Sequence, residues 1–218
     1  MAFFRRLVFA AALAGAGAGL LLTFLHQQFT VPLIQQAEIF EALSAAGAHG
    51  EGWHPHSARE RTLATATTDV LAGIAFALLL VAIWQWRGER PDWPVGIAWG
   101  LGGFLATTVA PSLGLPAELP GSLAAELPAR QAWWVATAVL TATGLGAALL
   151  AQAPAWRILG VLAMAVPHLV GAPVPPAGQS PVPAEMLRAF QLAVYVCNFH
   201  FWVLLGLLAS LAWRAQTR

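Results

Sequence analysis

Six apolar runs, at about 7–31, 66–86, 95–112, 131–151, 156–171 and 187–213, take up most of this 218-residue chain. A helix rises about 1.5 Å per residue, so about 20 apolar residues cross a bilayer core. The first, second, fourth and sixth runs meet that length with ease, and the third is adequate. The fifth, about 16 residues before a proline-rich stretch, fits a tilted span or a re-entrant segment. A count of five spans therefore stays open beside six. The chain is 58% hydrophobic and only 10% charged, whereas a soluble domain carries about 25% charged residues. That deficit is met if lipid replaces water around much of the surface. Ten tryptophans agree, since tryptophan collects at membrane interfaces. The expected fold class is an all-α integral membrane protein. Residues 1–218 would form a single transmembrane domain, a bundle of about six transmembrane helices.

The first run opens on Arg5 and Arg6 and has small residues, which imitates a signal peptide. Its apolar stretch from Leu7 to Leu25 is too long for a usual signal core, and it reads as a retained helix. Ala11, Gly15 and Gly19 recur every fourth position, a stripe over which a second helix can approach closely. Arginine placement sets the orientation. With six spans and the N-terminus inside, Arg5, Arg6, Arg87, Arg90, Arg157, Arg214 and Arg218 fall inside. Arg59, Arg61, Arg130 and Arg188 fall outside. The expected topology is N-in, C-in. Most of the acids, among them Glu38, Glu41, Glu51, Glu60, Glu118, Glu126 and Glu185, then lie outside, where they would concentrate cations.

Several functions are excluded by residue type. The basic residues are all arginine, so there is neither a P-loop lysine nor a lysine Schiff base. Cys197 is the single cysteine, so no disulfide forms within the chain. No HExxH, GxSxG or CxxC pattern occurs, and no enzymatic activity is expected. A net charge of +1 implies no nucleic-acid partner. No internal repeat marks two transporter halves.

The residues that can carry chemistry are histidines and carboxylates, ligands of first-row divalent metals. The longest outer loop, 32–65, is expected to contain a short amphipathic helix after Pro32. It also holds a histidine-rich stretch, 49–56, in which His49, His54 and His56 accompany Glu51. That stretch reads as a metal-capture loop or as a polar loop that is rich in histidine by chance. Glu38 and Glu41 share a face of the short helix and either pair around a cation or meet solvent. His26 ends the first span, beside Gln27 and Gln28. Asp69 follows Thr65, Thr67 and Thr68 and is expected to cap the second helix rather than bind metal. His168, between Pro167 and Gly171, lies where backbone carbonyls can be freed. His200 lies mid-span beside Cys197 and Asn198, and either binds a metal or bonds a neighbouring helix. Arg130, Gln131, Trp133 and Trp134 open the fourth helix as an interfacial belt, with Arg130 placed to pair Glu118 or Glu126.

The chain resembles the CbtA family of proposed cobalt transporter subunits. The resemblance is carried by FFRRLVFAAALAGAGAGLLLTFLHQQFTVPLIQQAEIFE, ERTLATATTDVLAGIAFALLL, GLPAELPG, ARQAWW, PHLVGAP and NFHFW, in that order. It implies a protein of five or six helices in the bacterial inner membrane, linked to vitamin B12 biosynthesis. It also implies a small single-helix partner, CbtB, that is rich in histidine. Matching positions are Gln28, Pro32, Glu38, Glu41, Glu118, Arg130, Gln131, Trp133, Trp134, His168 and Asn198. The HGEGWHPH loop is not part of that pattern.

The leading expectation is a subunit of a divalent metal uptake system. Cobalt would be its substrate, with no organic cofactor, and a homo-oligomer is compatible. Metal would be captured at the outer face through His49, His54, His56, Glu38, Glu41 and His26, then passed inward near His168 or His200. Gln28, Glu118, Arg130, Asn198 and Asp69 would shape or gate the path. Inward movement of a 2+ ion gains about 4.6 kcal/mol per 100 mV, so uptake needs no nucleotide. Two other readings remain: a haem- or quinone-binding redox protein, and a membrane scaffold for a small partner.

Overall fold

The computed structural model describes residues 2–44, 55, 57–178 and 180–216. Its elements, in order, are α1 (Ala2–Leu25), a π-helical turn (His26–Thr30), α2 (Val31–Ser44), α3 (Ala58–Trp86) and α4 (Trp93–Phe104). A second π-helical turn (Leu105–Val109) follows, then α5 (Ala110–Ser112), α6 (Leu127–Leu150), α7 (Pro154–Val170) and α8 (Ala184–Gln216). Five stretches are long and apolar enough to cross a membrane: Phe4–Glu41, Ala58–Trp86, Trp93–Ser112, Leu127–Leu150 and Ala184–Gln216. The chain is a multi-pass, all-helical membrane protein. The fifth apolar run forms α7, a shorter helix of 17 residues.

Both π turns precede a proline by two residues. Pro32 and Pro111 lack the N–H that an α-helix would direct to the carbonyl four residues earlier, and their rings crowd that carbonyl. A π turn absorbs the conflict by shifting the hydrogen-bond ladder by one residue. In the first, Val31 N–H bonds the His26 carbonyl. In the second, Ala110 N–H bonds the Leu105 carbonyl. The helix expected to stand alone in the outer loop is thus α2, which continues α1 through the π turn without a break.

The second helix also differs from expectation. Its N-cap is Ser57, whose hydroxyl accepts from Glu60 N–H at 3.1 Å. Asp69 lies well inside α3 and is buried. It does not cap the helix, because the threonines before it are themselves helical: Thr62, Thr65 and Thr67 each donate to the carbonyl four residues back.

The described chain separates into two compact units. Unit 1 comprises Met1–Val31, Gly50–Leu101 and Val196–Arg218. Here the small-residue stripe of α1 runs antiparallel against α3. A Cβ on Gly15 would fall on the backbone of Gly73 and Ile74, and one on Gly73 would fall on the Gly15 carbonyl. Ala11 and Ala77 are fully buried on the same faces. In the same manner Gly96 and Gly206 bring α4 against α8. Phe76, Phe201 and Trp202 pack as an aromatic cluster, and buried Trp213 donates its indole N–H to the Glu89 carbonyl at 3.2 Å.

Unit 2 comprises Pro32–His49 and Gly102–Tyr195. Gly144 on α6 and Gly160 on α7 lie backbone to backbone. Ala37, Leu119, Val182 and Phe190 form a buried apolar cluster. Gly121, at φ +77°, turns the 113–126 loop against the backbone of Glu41, a conformation and a proximity that a side chain would oppose. Trp133, expected in an interfacial belt, is buried instead, and its indole N–H bonds the Pro167 carbonyl at 3.3 Å. Its neighbour Trp134 is exposed, at 39%.

Candidate functional site

Unit 1 holds a buried polar site that grows out of its packing. Positions Ala11, Gly15, Gly19, Thr23 and His26 follow one face of α1 into the π turn. A Cβ on Gly19 would meet the Asp69 carbonyl and the Val70 backbone. Glycine there lets α3 close in, and it sets the Asp69 side chain beside the next polar residues along the face. Thr23 Oγ1 lies 3.1 Å from Asp69 Oδ2 and 3.0 Å from the Gly19 carbonyl. His26 Nδ1 lies 3.1 Å from the same Oδ2. The side chains of His26 and Asp69 are 23% and 9% exposed.

An ionised carboxylate only accepts hydrogen bonds, so opposite one His26 donates through Nδ1–H, and in the neutral imidazole the lone pair is then on Nε2. Metal-binding imidazoles are commonly oriented by a carboxylate on the other ring nitrogen in this way. In that state Asp69 orients the ring and Nε2 is its lone-pair nitrogen. One turn away, Thr62 Oγ1 meets Gln27 Oε1 at 3.3 Å, and Gln27 Nε2 is buried without a partner. Gln28 is exposed.

The other expected residues are placed separately. Glu38 is half-buried and Glu41 exposed on α2. His168 is exposed, with its ring edge-on to Trp133 at 5.9 Å between centroids. His200 is exposed, and its Nδ1 lies 2.8 Å from the Val196 carbonyl of its own helix. Asn198 is half-buried on the same helix. His49, His54 and His56, with Glu51, lie outside the described residues. Among the described residues, no group of three or more His, Cys, Asp or Glu stands close enough to hold a metal ion. Glu118 and Arg130 do pair, with Nη1 donating to Oε2 at 2.6 Å, each side chain over a quarter exposed.

Sequence reasoning named His26 and Asp69 but did not join them, and it missed Thr23. The signal was present: Thr23 and His26 continue the glycine stripe at the spacing of one helix face, and Asp69 is the only acid in an apolar run.

Comparison with known proteins agrees with this membrane architecture. No curated protein and no solved structure matches the chain. A family model described as a probable cobalt transporter subunit (CbtA) matches residues 4–214. A match over nearly the whole length places the chain in that family: this protein belongs to the probable cobalt transporter subunits, CbtA.

Proposed function

We propose that this chain is the membrane subunit of a cobalt uptake system that feeds vitamin B12 biosynthesis, and that His26 is the donor met by an incoming ion. The observation that carries this reading is the His26–Asp69–Thr23 cluster. It is an ionisable pair inside membrane-spanning helices, with Nδ1 of the imidazole turned to the carboxylate and Nε2 on the far side of the ring. Ionisable residues at such positions are costly and commonly mark an ion path.

Capture begins at the outer face, where Glu38, Glu41, His49, His54 and His56 raise the local cation concentration. His26 Nε2 then takes the ion, while Asp69 provides the compensating negative charge. Onward transfer would use His168 or His200, with Gln28 and Asn198 shaping the path. The membrane potential, at about 4.6 kcal/mol per 100 mV for a divalent ion, supplies the driving force. The family's description as a subunit implies a second component, and a small single-helix protein of the CbtB type fits that role by supplying further histidines.

The test is radioactive cobalt accumulation in a host without other cobalt importers, with this chain expressed alone and with the small partner. Accumulation in either condition supports the reading. No accumulation from protein shown to be folded in the membrane would reassign the chain to a scaffold.

A further inference from the structure

A second site stands in unit 2, independent of the metal reading. A cavity of about 530 Å³ lies between the 115–118 segment and the first turns of α6. Its α6 wall is one helix face: Leu127, Arg130, Gln131, Trp134 and Val135 recur at spacings of three, four, seven and eight. The opposite wall carries Glu118. The volume suits an organic ligand and greatly exceeds a bare ion.

The polar groups specify the ligand's charges. Arg130 and Glu118 meet through a single contact, Nη1 to Oε2. A guanidinium has five N–H donors and a carboxylate two acceptor oxygens, so both keep capacity for a ligand. Arginine is well suited to phosphate, and the exposed amide of Gln131 adds a donor beside it. Glu118 keeps its second oxygen for a group that donates a hydrogen bond, and a cationic donor suits it best. The remaining walls are apolar, and Leu127, Trp134 and Val135 are 56%, 39% and 52% exposed at the start of a membrane-spanning helix. That is the depth at which lipid headgroups meet acyl chains.

We infer that this cavity binds a phospholipid with a phosphoethanolamine headgroup. The phosphate meets Arg130 and Gln131, the primary ammonium meets Glu118, and the acyl chains descend along Leu127, Trp134 and Val135. A phosphocholine headgroup has no N–H to offer Glu118, and a purely anionic headgroup brings no cation. The site therefore ranks ethanolamine lipids above both.

Native mass spectrometry of the purified full chain, delipidated and then exposed to equal amounts of dioleoyl phosphatidylethanolamine, phosphatidylcholine and phosphatidylglycerol, reads the preference. The ethanolamine lipid is expected to be retained at least fivefold over phosphatidylcholine. Glu118→Gln should reduce that ratio towards one, and Arg130→Ala should lower retention of all three. Gln131→Ala, at an exposed position outside the ion pair, should weaken retention about threefold without disturbing the fold. Equal retention of the three lipids, or a preference unchanged in Glu118→Gln and Gln131→Ala, would overturn the assignment. Retention of free phosphoethanolamine as tightly as of the lipid would assign the cavity to a soluble zwitterion and also overturn it.

Discussion

Asp69 and Glu118 each face a basic or titratable partner, yet the first side chain is 9% exposed and the second 27%. In unit 1 the carboxylate sits inside a helix pair that glycines have drawn together, with two side-chain partners on one oxygen. In unit 2 the carboxylate stands at the rim of an open cavity, with one arginine. The buried group gives up solvent and depends on its partners, so removing it leaves other polar atoms unsatisfied. The rim group keeps some contact with solvent, which screens its ion pair and limits what that pair adds to stability. Burial makes the first arrangement suited to orienting a donor, and exposure makes the second suited to admitting a ligand.

The largest effect that would break this contrast lies in the packing that creates the buried site. Gly15→Val places side-chain atoms on the Gly73 and Ile74 backbone and is expected to destabilise by about 3 kcal/mol, read as loss of folded protein in detergent. Gly146→Ala, which meets nothing within 4 Å, is the matched control and should be neutral or slightly stabilising. Similar loss in both would mean that close approach does not set Gly15 apart from Gly146.

Asp69→Ala comes next. It strips a partner from His26 and Thr23, and about 2 kcal/mol of destabilisation is expected by chemical denaturation. Asp69→Asn, which keeps the shape and a hydrogen-bond acceptor, should cost about half as much. A smaller effect follows for Trp133→Phe, which deletes the indole N–H bonded to Pro167 and some of the ring's packing on Gly114, for about 1.5 kcal/mol. Arg130→Ala is expected to cost about 0.5 kcal/mol or less without lipid, given its exposure. A loss as large as that of Asp69→Ala would erase the distinction between the two pairs.

The elements and the site were legible in the sequence to different degrees, and for physical reasons. Helices of membrane length follow from composition, and the Ala11–Gly15–Gly19 stripe identified the contact face because helical spacing is fixed by backbone geometry. The extension of α1 through His26–Thr30 into α2 was not read, because Pro32 signals a helix start as readily as a π turn. Asp69 was mistaken for a cap because threonine and aspartate favour helix starts locally. Whether they stand there depends on tertiary packing. Trp133 and Trp134 are neighbours with identical propensities, and only tertiary contacts, with Pro167 of α7 and with Gly114, decide that Trp133 is buried. The Glu118–Arg130 pairing was foreseen as one of two options, since a loop of that length allows either Glu118 or Glu126 to reach Arg130.

The central claim is that an imidazole oriented by a buried carboxylate lies on the metal's route. It is tested most directly by cobalt uptake in cells expressing His26→Ala, Asp69→Asn and Glu118→Gln at equal membrane levels, beside the unaltered chain. The account predicts that His26→Ala loses at least tenfold in initial rate. Asp69→Asn should lose several-fold, because an amide can donate to Nδ1 and shift the imidazole proton to Nε2, and Glu118→Gln should change little. Uptake unchanged in His26→Ala, or equal loss in all three variants, would contradict it.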